Sequence, residues 1–241
     1  MVRRRSAQLR YAREDHAAMT ALAAGIILAD GRLETYRFLR QGQFLEHLQW
    51  GSVAADGRVC PLKHFHHPFK HTGFGDYRTS AADVAIGCYR RALELYRKGR
   101  TAAAAYNLGK ALHMLQDAHV PHHAALMGVF SYLGIDPYGH YQYEGWLQGH
   151  WRDYTVVDGG IYSWQGCHTH PDYGSHQTSS ERVYDWIDET AAFSLCYLDL
   201  VNRKKNAGRQ DRFPETASVL VPRTLRWSAG LIAKFVEELS D

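Results

Sequence analysis

Five side chains with metal-ligand chemistry stand at regular spacing: His113, Asp117 and His123 in ALHMLQDAHVPHHA, then His140 and Glu144 in GHYQYEGW. On a helix, residues four apart share a face, so His113 with Asp117, and His140 with Glu144, can each converge on one ion. Imidazole nitrogen with carboxylate oxygen is the donor set of zinc sites that keep a coordination position open for catalysis. One His-x3-acid pair is ordinary helix-surface chemistry. Two such pairs, with His123 close behind Pro121, predict a multi-zinc hydrolase. No run among the 15 histidines exceeds two residues, which rules out a purification tag as their source.

These pairs need helices to hold them, and the dominant period of the chain is helical. Met19, Leu22, Ala23, Ile26 and Ile27 follow the i, i+3, i+4 pattern from Asp15 to Leu28. A second helix is expected from Leu33 to Leu48, ended by Gly51. Residues 51–77, rich in His, Pro and Gly, read as a long irregular loop, and such loops are usually functional. Thr79 and Ser80 are positioned to cap a helix through Arg97, and Thr101 to cap the next one, which carries His113 and Asp117 beside its apolar stripe. Pro121 should end that helix. Asp136-Pro137 then reads as a helix start carrying His140 and Glu144. A loop over 155–178 follows, then helices from about Ser180 to Asn202 and Thr216 to Leu239, the last kinked or divided at Pro222. No strand alternation, repeat or low-complexity linker is visible, so one all-α domain of 15–241 behind a basic arm of 1–14 is the expected organisation.

Bulk properties narrow the function class. The 241 residues are 45% hydrophobic, enough for a substantial core, and the net charge of +3 is too small to argue for nucleic-acid binding. Arg3, Arg4, Arg5, Arg10 and Arg13 precede the first acid, Glu14, and read as a solvated arm able to meet an anionic membrane surface. No apolar run reaches the roughly 18–20 residues of a membrane span. The start MVRRRSAQLRYARED has no apolar core of a signal peptide. Cys60, Cys88, Cys167 and Cys196 lack C-x-x-C spacing, leaving two disulfides or four thiols open.

YNLGKALHMLQDAHVPHHA resembles the H-Y-x-x-D-x-x-x-P-x-H signature of the bacterial zinc-dependent phospholipases C, with Met114 at the usual Tyr. DHAAMTALAAGIIL is similar to that family's first helix, GSVAADGRVCPLKHFHHP to its Asp loop and His-Phe-x-x-Pro segment, GHYQYEGW to its H-x-x-x-E pair, and RWSAGLIAKFVEEL to its last helix. The blocks run in family order from near residue 15 to near residue 239. The resemblance implies an all-α fold of the phospholipase C and nuclease type with a multi-zinc cleft. It implies a first zinc on Asp56, His64, His113 and Asp117, a second on His123, His140 and Glu144, and a third on His16 with Asp117 bridging. Family members complete the third site with an N-terminal Trp, whereas no Trp occurs here before Trp50, so two to three zinc ions are expected. His66, His67, His71, His119, His122 and His150 are expected to support these ligands or to face solvent.

The activity implied is hydrolysis of a phospholipid at a membrane surface to diacylglycerol and a phosphorylated head group, by in-line attack of a zinc-activated water. Asp56 is the candidate catalytic base, or else a plain ligand. Tyr141, Tyr143, Trp146, Trp151, Tyr162 and Trp164 are candidates for a lipid-facing cleft. Gly57, Pro61 and Leu126 replace residues of choline-preferring members. The family is mainly secreted or periplasmic. Two alternatives share the metal cluster. One is a single-strand nuclease or 3′-nucleotidase, although those typically use Asp where Glu144 stands. The other is a non-catalytic, zinc-stabilised relative. Nucleic acid is not an expected obligatory partner.

Overall fold

The computed structural model describes residues 13–75, 79–128, 135–163, 182–205 and 209–240. Ten α-helices occur among them: α1 (Arg13–Ala29), α2 (Leu33–Leu39), α3 (Phe44–Arg58), α4 (Ala81–Arg97), α5 (Thr101–Ala118), α6 (Pro121–Ala124), α7 (His140–His150), α8 (Arg182–Leu195), α9 (Leu198–Val201) and α10 (Phe213–Glu238). Short 3-10 turns cover Gln41–Gln43, Pro61–His64 and Trp151–Tyr154. The described residues contain no strand, only an isolated antiparallel bridge between His67 and Thr72. Residues 1–12 of the basic arm lie outside them, and residues 13 and 14 already belong to α1.

Helix α5 is the axis of the fold, packed between α3 and α4 and also touching α8 and α10. Its Ala-rich start favours helix intrinsically. From Ala111 to Ala118 every residue is buried, so His113, Gln116 and Asp117 enter the interior as polar groups. Charged residues are almost never fully buried unless paired, which marks α5 as the site-bearing element. Around it the core is aromatic and aliphatic, with Trp151, Trp186, Trp227, Tyr89, Tyr143 and Phe235 fully enclosed.

Two sequence expectations for the region before the site are corrected. The expected helix Leu33–Leu48 is interrupted, because Gly42 (φ 52°) and Gln43 (φ 62°) take left-handed conformations that stop α2 and re-aim the chain into α3. Gly51 does not end a helix: α3 runs through it to Arg58, so residues 51–58 are helical and not loop. Gly51 is needed for a close crossing instead. A Cβ on Gly51 would lie 2.0 Å from the Tyr106 carbonyl oxygen, and one on Gly109 would lie 2.1 Å from that of Leu48. The absence of two side chains lets α3 and α5 meet backbone to backbone, which brings the Ser52 carbonyl onto His113.

Gly109→Ala is therefore expected to destabilise the fold by about 1–3 kcal/mol, because backbone cannot yield as a side chain does. Urea unfolding should show it. A midpoint equal to the unsubstituted protein's would mean the crossing has slack.

Other boundaries behave locally. Ser80 caps α4 in a full capping box with Asp83, while Thr101 is the first residue of α5 and makes no capping bond. Pro121 opens α6 after α5 has ended. Asp136 reaches forward to α7: its carboxylate accepts from the backbone N–H groups of His140 (2.8 Å) and Gln142 (3.2 Å). Pro222 neither divides nor ends α10, a 26-residue helix whose buried stripe from Phe213 to Phe235 outweighs the lost hydrogen bond. Cys60, Cys88 and Cys196 are free thiols, and Cys167 lies outside the described residues.

Candidate metal centre

Eight side chains from six elements converge beside α5. His16 comes from α1, Asp56 from the last turn of α3 and His64 from the end of the 3-10 turn Pro61–His64. His113 and Asp117 come from α5, His123 from α6, and His140 and Glu144 from the first turns of α7. All are buried except Asp56, whose side chain is 26% exposed.

Asp117 is the hub. Its Oδ2 lies 2.6 Å from His64 Nδ1, 3.2 Å from His113 Nε2 and 3.7 Å from His123 Nδ1, while its Oδ1 lies 3.7 Å from His16 Nε2. His113 Nε2 is also 3.2 Å from His64 Nδ1 and 3.7 Å from Asp56 Oδ1. Three adjacent groups have ligand atoms within mutual reach, the first two sharing His113: His16, Asp56 and His113; His64, His113 and Asp117; His123, His140 and Glu144.

The last group is compact. His123 Nε2, His140 Nε2 and Glu144 Oε1 form a triangle with sides of 2.9, 3.2 and 2.9 Å. Bonds of 2.0–2.1 Å in a tetrahedral shell put ligand atoms about 3.3 Å apart, so these atoms are spaced as zinc ligands are. Gly128 makes room, since a Cβ there would fall 2.4 Å from His140 Nδ1.

The surrounding hydrogen bonds determine which ring nitrogen faces inward. His113 Nδ1 donates to the Ser52 carbonyl (2.8 Å), and His123 Nδ1 donates to the His64 carbonyl (3.0 Å). His16 Nδ1 faces Gln116 Oε1 at 2.7 Å. In each case the Nε2 lone pair is left for the cluster, the arrangement that orients metal-binding histidines. Ser52 and Gln116 carry no spacing signal in the sequence, because their partners lie 61 and 100 residues away.

Charge favours a cation. Burial opposes ionisation of Asp117, yet His113 and His123 hold its carboxyl well below the usual range. Glu144 is likewise held down against burial by His140 and His123. Burial works against the imidazolium of His123, but Asp117 and Glu144 push it up to about 9. Burial and His113 lower His16. Carboxylates buried in this volume require positive partners, supplied without metal by protonated His123 and, with metal, by an ion; the N/O donor set suits zinc.

Comparison with known proteins agrees. Residues 15–192 match the family model described as zinc dependent phospholipase C. The chain belongs to the zinc-dependent phospholipase C family. A phospholipase C of Clostridium perfringens is 24% identical over 148 residues, covering 61% of this chain and 34% of the relative. A phospholipase C of Bacillus cereus is 31% identical over 142 residues, covering 58% of this chain and 44% of the relative. The solved structure of an alpha toxin from Clostridium absonum has a TM-score of 0.75 at 18% identity, covering 94% of this chain and 64% of that one. The chain thus spans less than half the length of these two relatives and under two thirds of the toxin.

Within this zinc-dependent phospholipase C fold, most of the expected cleft aromatics have other roles. Tyr143 and Trp151 are core residues, and Trp151 Nε1 donates to Asp15. Tyr162 donates its hydroxyl to Asp30 at 2.6 Å and lies under Arg32. Trp146 stacks on His150 and packs against Phe213. Trp164 lies outside the described residues. Among the five described, Tyr141 alone stacks on a candidate ligand, His140, with ring centres 5.5 Å apart. His119 and His122 are buried, each bonded to a backbone carbonyl, of Leu115 and Tyr138 respectively, while His150 faces solvent.

Proposed function

We propose that the chain is a zinc-dependent phosphodiester hydrolase, a phospholipase C that cleaves phospholipids at a membrane surface into diacylglycerol and a phosphorylated head group. The observation that carries this is the gathering of three adjacent His/carboxylate groups, two of them sharing His113, around Asp117 in a chain of this family. Two to three zinc ions are proposed. Asp56, His64, His113 and Asp117 would hold one, His123, His140 and Glu144 a second, and His16 with Asp117 contributes to a third. The relatives named phospholipase C support the reaction class.

Bound zinc supplies acidification of water toward neutral pH and neutralisation of charge on a phosphate. The protein supplies the rest. Asp117 and Glu144, both held low by their imidazole neighbours, supply negative charge to offset the metal, while the Ser52 and His64 carbonyls and Gln116 aim the imidazoles. Asp56 is the most exposed of the eight, and its Oδ2 has no hydrogen-bond partner among the described residues. That placement suits a base that orients and deprotonates the attacking water. Gly57 and Pro61 are exposed and offer no aromatic wall for a quaternary amine, so choline preference forms no part of the reading.

The test is zinc-dependent release of phosphocholine or other head groups from mixed phospholipid vesicles, beside nucleotide release from single-stranded DNA. Lipid turnover that falls about 10²-fold or more in Asp56→Asn supports the assignment. Turnover of DNA alone would move it to the nuclease branch. Bound zinc with neither activity would leave a metal-stabilised relative.

A further inference from the structure

Outside the eight residues above, a second His/carboxylate cluster joins the segment after the Pro61–His64 turn to α8. His66 Nε2 lies 2.5 Å from Asp188 Oδ1, and His71 Nδ1 lies 3.2 Å from the same oxygen. His66 and Asp188 are enclosed, whereas the His71 side chain is 26% exposed. Their ligand atoms are within common reach of one ion.

Hydrogen-bond accounting determines the tautomer of His66. Ser80 Oγ lies 2.9 Å from Asp83 Oδ2, a carboxylate oxygen that also accepts the Ser80 backbone N–H at 2.7 Å. A hydroxyl has one hydrogen, and here it goes to the carboxylate. Ser80 Oγ therefore accepts from His66 Nδ1, 2.9 Å away. With Nδ1 carrying that proton, Nε2 is the ring atom left to face Asp188 Oδ1. In a fully buried place these two atoms need a positive partner between them, either a proton on Nε2 or a metal ion that both ligate. Asp188 Oδ2, also buried, has no hydrogen-bond partner among the described residues.

The turn that carries His71 is strained in a way that aims it. His71 has φ 51°, unusual for a residue with a side chain. Its N–H donates to the His67 carbonyl at 2.8 Å, and His67 N–H donates to the Thr72 carbonyl at 2.8 Å, which closes the loop around it. Such strain persists where surrounding structure over-determines it, typically at ligand clamps.

We propose that His66, His71 and Asp188 form an additional divalent-cation site, separate from the centre around Asp117. Two imidazole nitrogens and one carboxylate oxygen select a zinc-type ion over calcium or magnesium, which take oxygen ligands. The exposed edge of His71 supplies the entry path and leaves a fourth position for water. The ion fastens residues 66–71 to α8, and through them the neighbouring ligand His64.

The test uses the full chain, stripped of metal and titrated with Co²⁺ or Zn²⁺ alone. In a background carrying Asp117→Ala and His123→Ala, one tightly bound equivalent should remain. Adding His71→Ala should remove it or weaken it by more than about 100-fold, a ligand mattering at least as much as the groups that orient one. His71→Ala alone should lower the metal content by one equivalent. In ¹⁵N-histidine spectra of the unsubstituted chain, metal should move His66 Nε2 and His71 Nδ1 while His66 Nδ1 stays protonated. Equal metal content with and without His71→Ala, or spectra in which both His66 nitrogens carry protons in excess metal, would overturn the proposal. A proton would then be the cation, and the cluster a buried imidazolium–carboxylate pair.

Discussion

Asp117→Asn should cost the protein at least one zinc equivalent and about 10³-fold or more in phosphodiester turnover. The expectation rests on position. The Asp117 carboxylate lies within 3.7 Å of His16, His64, His113 and His123, residues from four different elements. Asn has nearly the same shape, so packing is preserved. It has no charge, however, and presents N–H groups where an acceptor is needed. Loss of a bridging ligand removes several kcal/mol of charge stabilisation, and each 1.4 kcal/mol is about tenfold in rate. Metal analysis and steady-state kinetics check the result together. Unchanged zinc content with turnover within about threefold of the parent would show that Asp117 is not the hub proposed.

Chelation should lower the melting temperature sharply, by about 15–30 °C if two sites are occupied. Free ligand 1,000-fold above its Kd stabilises by about 4 kcal/mol per site. In a chain of this size each kcal/mol is worth about 2–4 °C. Without a cation, Asp117 and Glu144 remain ionised inside the protein against neighbouring imidazoles, with His123 pushed up to about 9 as the principal compensating charge. Zinc binding must displace that proton, so it should release protons into the buffer as it restores stability. Calorimetry in buffers of different ionisation enthalpy would detect the release. A chelator-induced shift below about 3 °C, with zinc demonstrably removed, would contradict an interior held together by metal.

How much could be read in advance depends on the range of the interaction. His113 with Asp117, and His140 with Glu144, are one helical turn apart, so spacing alone puts each pair on one face. The α4 cap was equally readable, because Ser80 and Asp83 are three residues apart. Gly51 was misread because a glycine looks the same in sequence whether it stops a helix or lets another helix touch it. Its meaning lies in Tyr106 and Gly109. Leu33–Leu48 looked continuous because apolar periodicity persists across Gly42 and Gln43, whose left-handed backbone leaves no mark on that pattern. His66 and His71 could be noticed only as histidines. Their partner Asp188 lies more than 100 residues away.

The helical class, the two His-x3-acid pairs and the family are legible in the chain alone, because each rests on residues close in the chain or on ordered motifs. Tertiary packing alone places Asp117 among His16, His64, His113 and His123, with His16 reaching it from α1 and Asp56 reaching His113 from α3. It also decides which imidazole nitrogen faces inward, and that a second His/Asp cluster exists at all. Local periodicity orients a side chain about its own helix axis. Where two axes cross is decided by how side chains pack and by where none is present, as at Gly51 and Gly109.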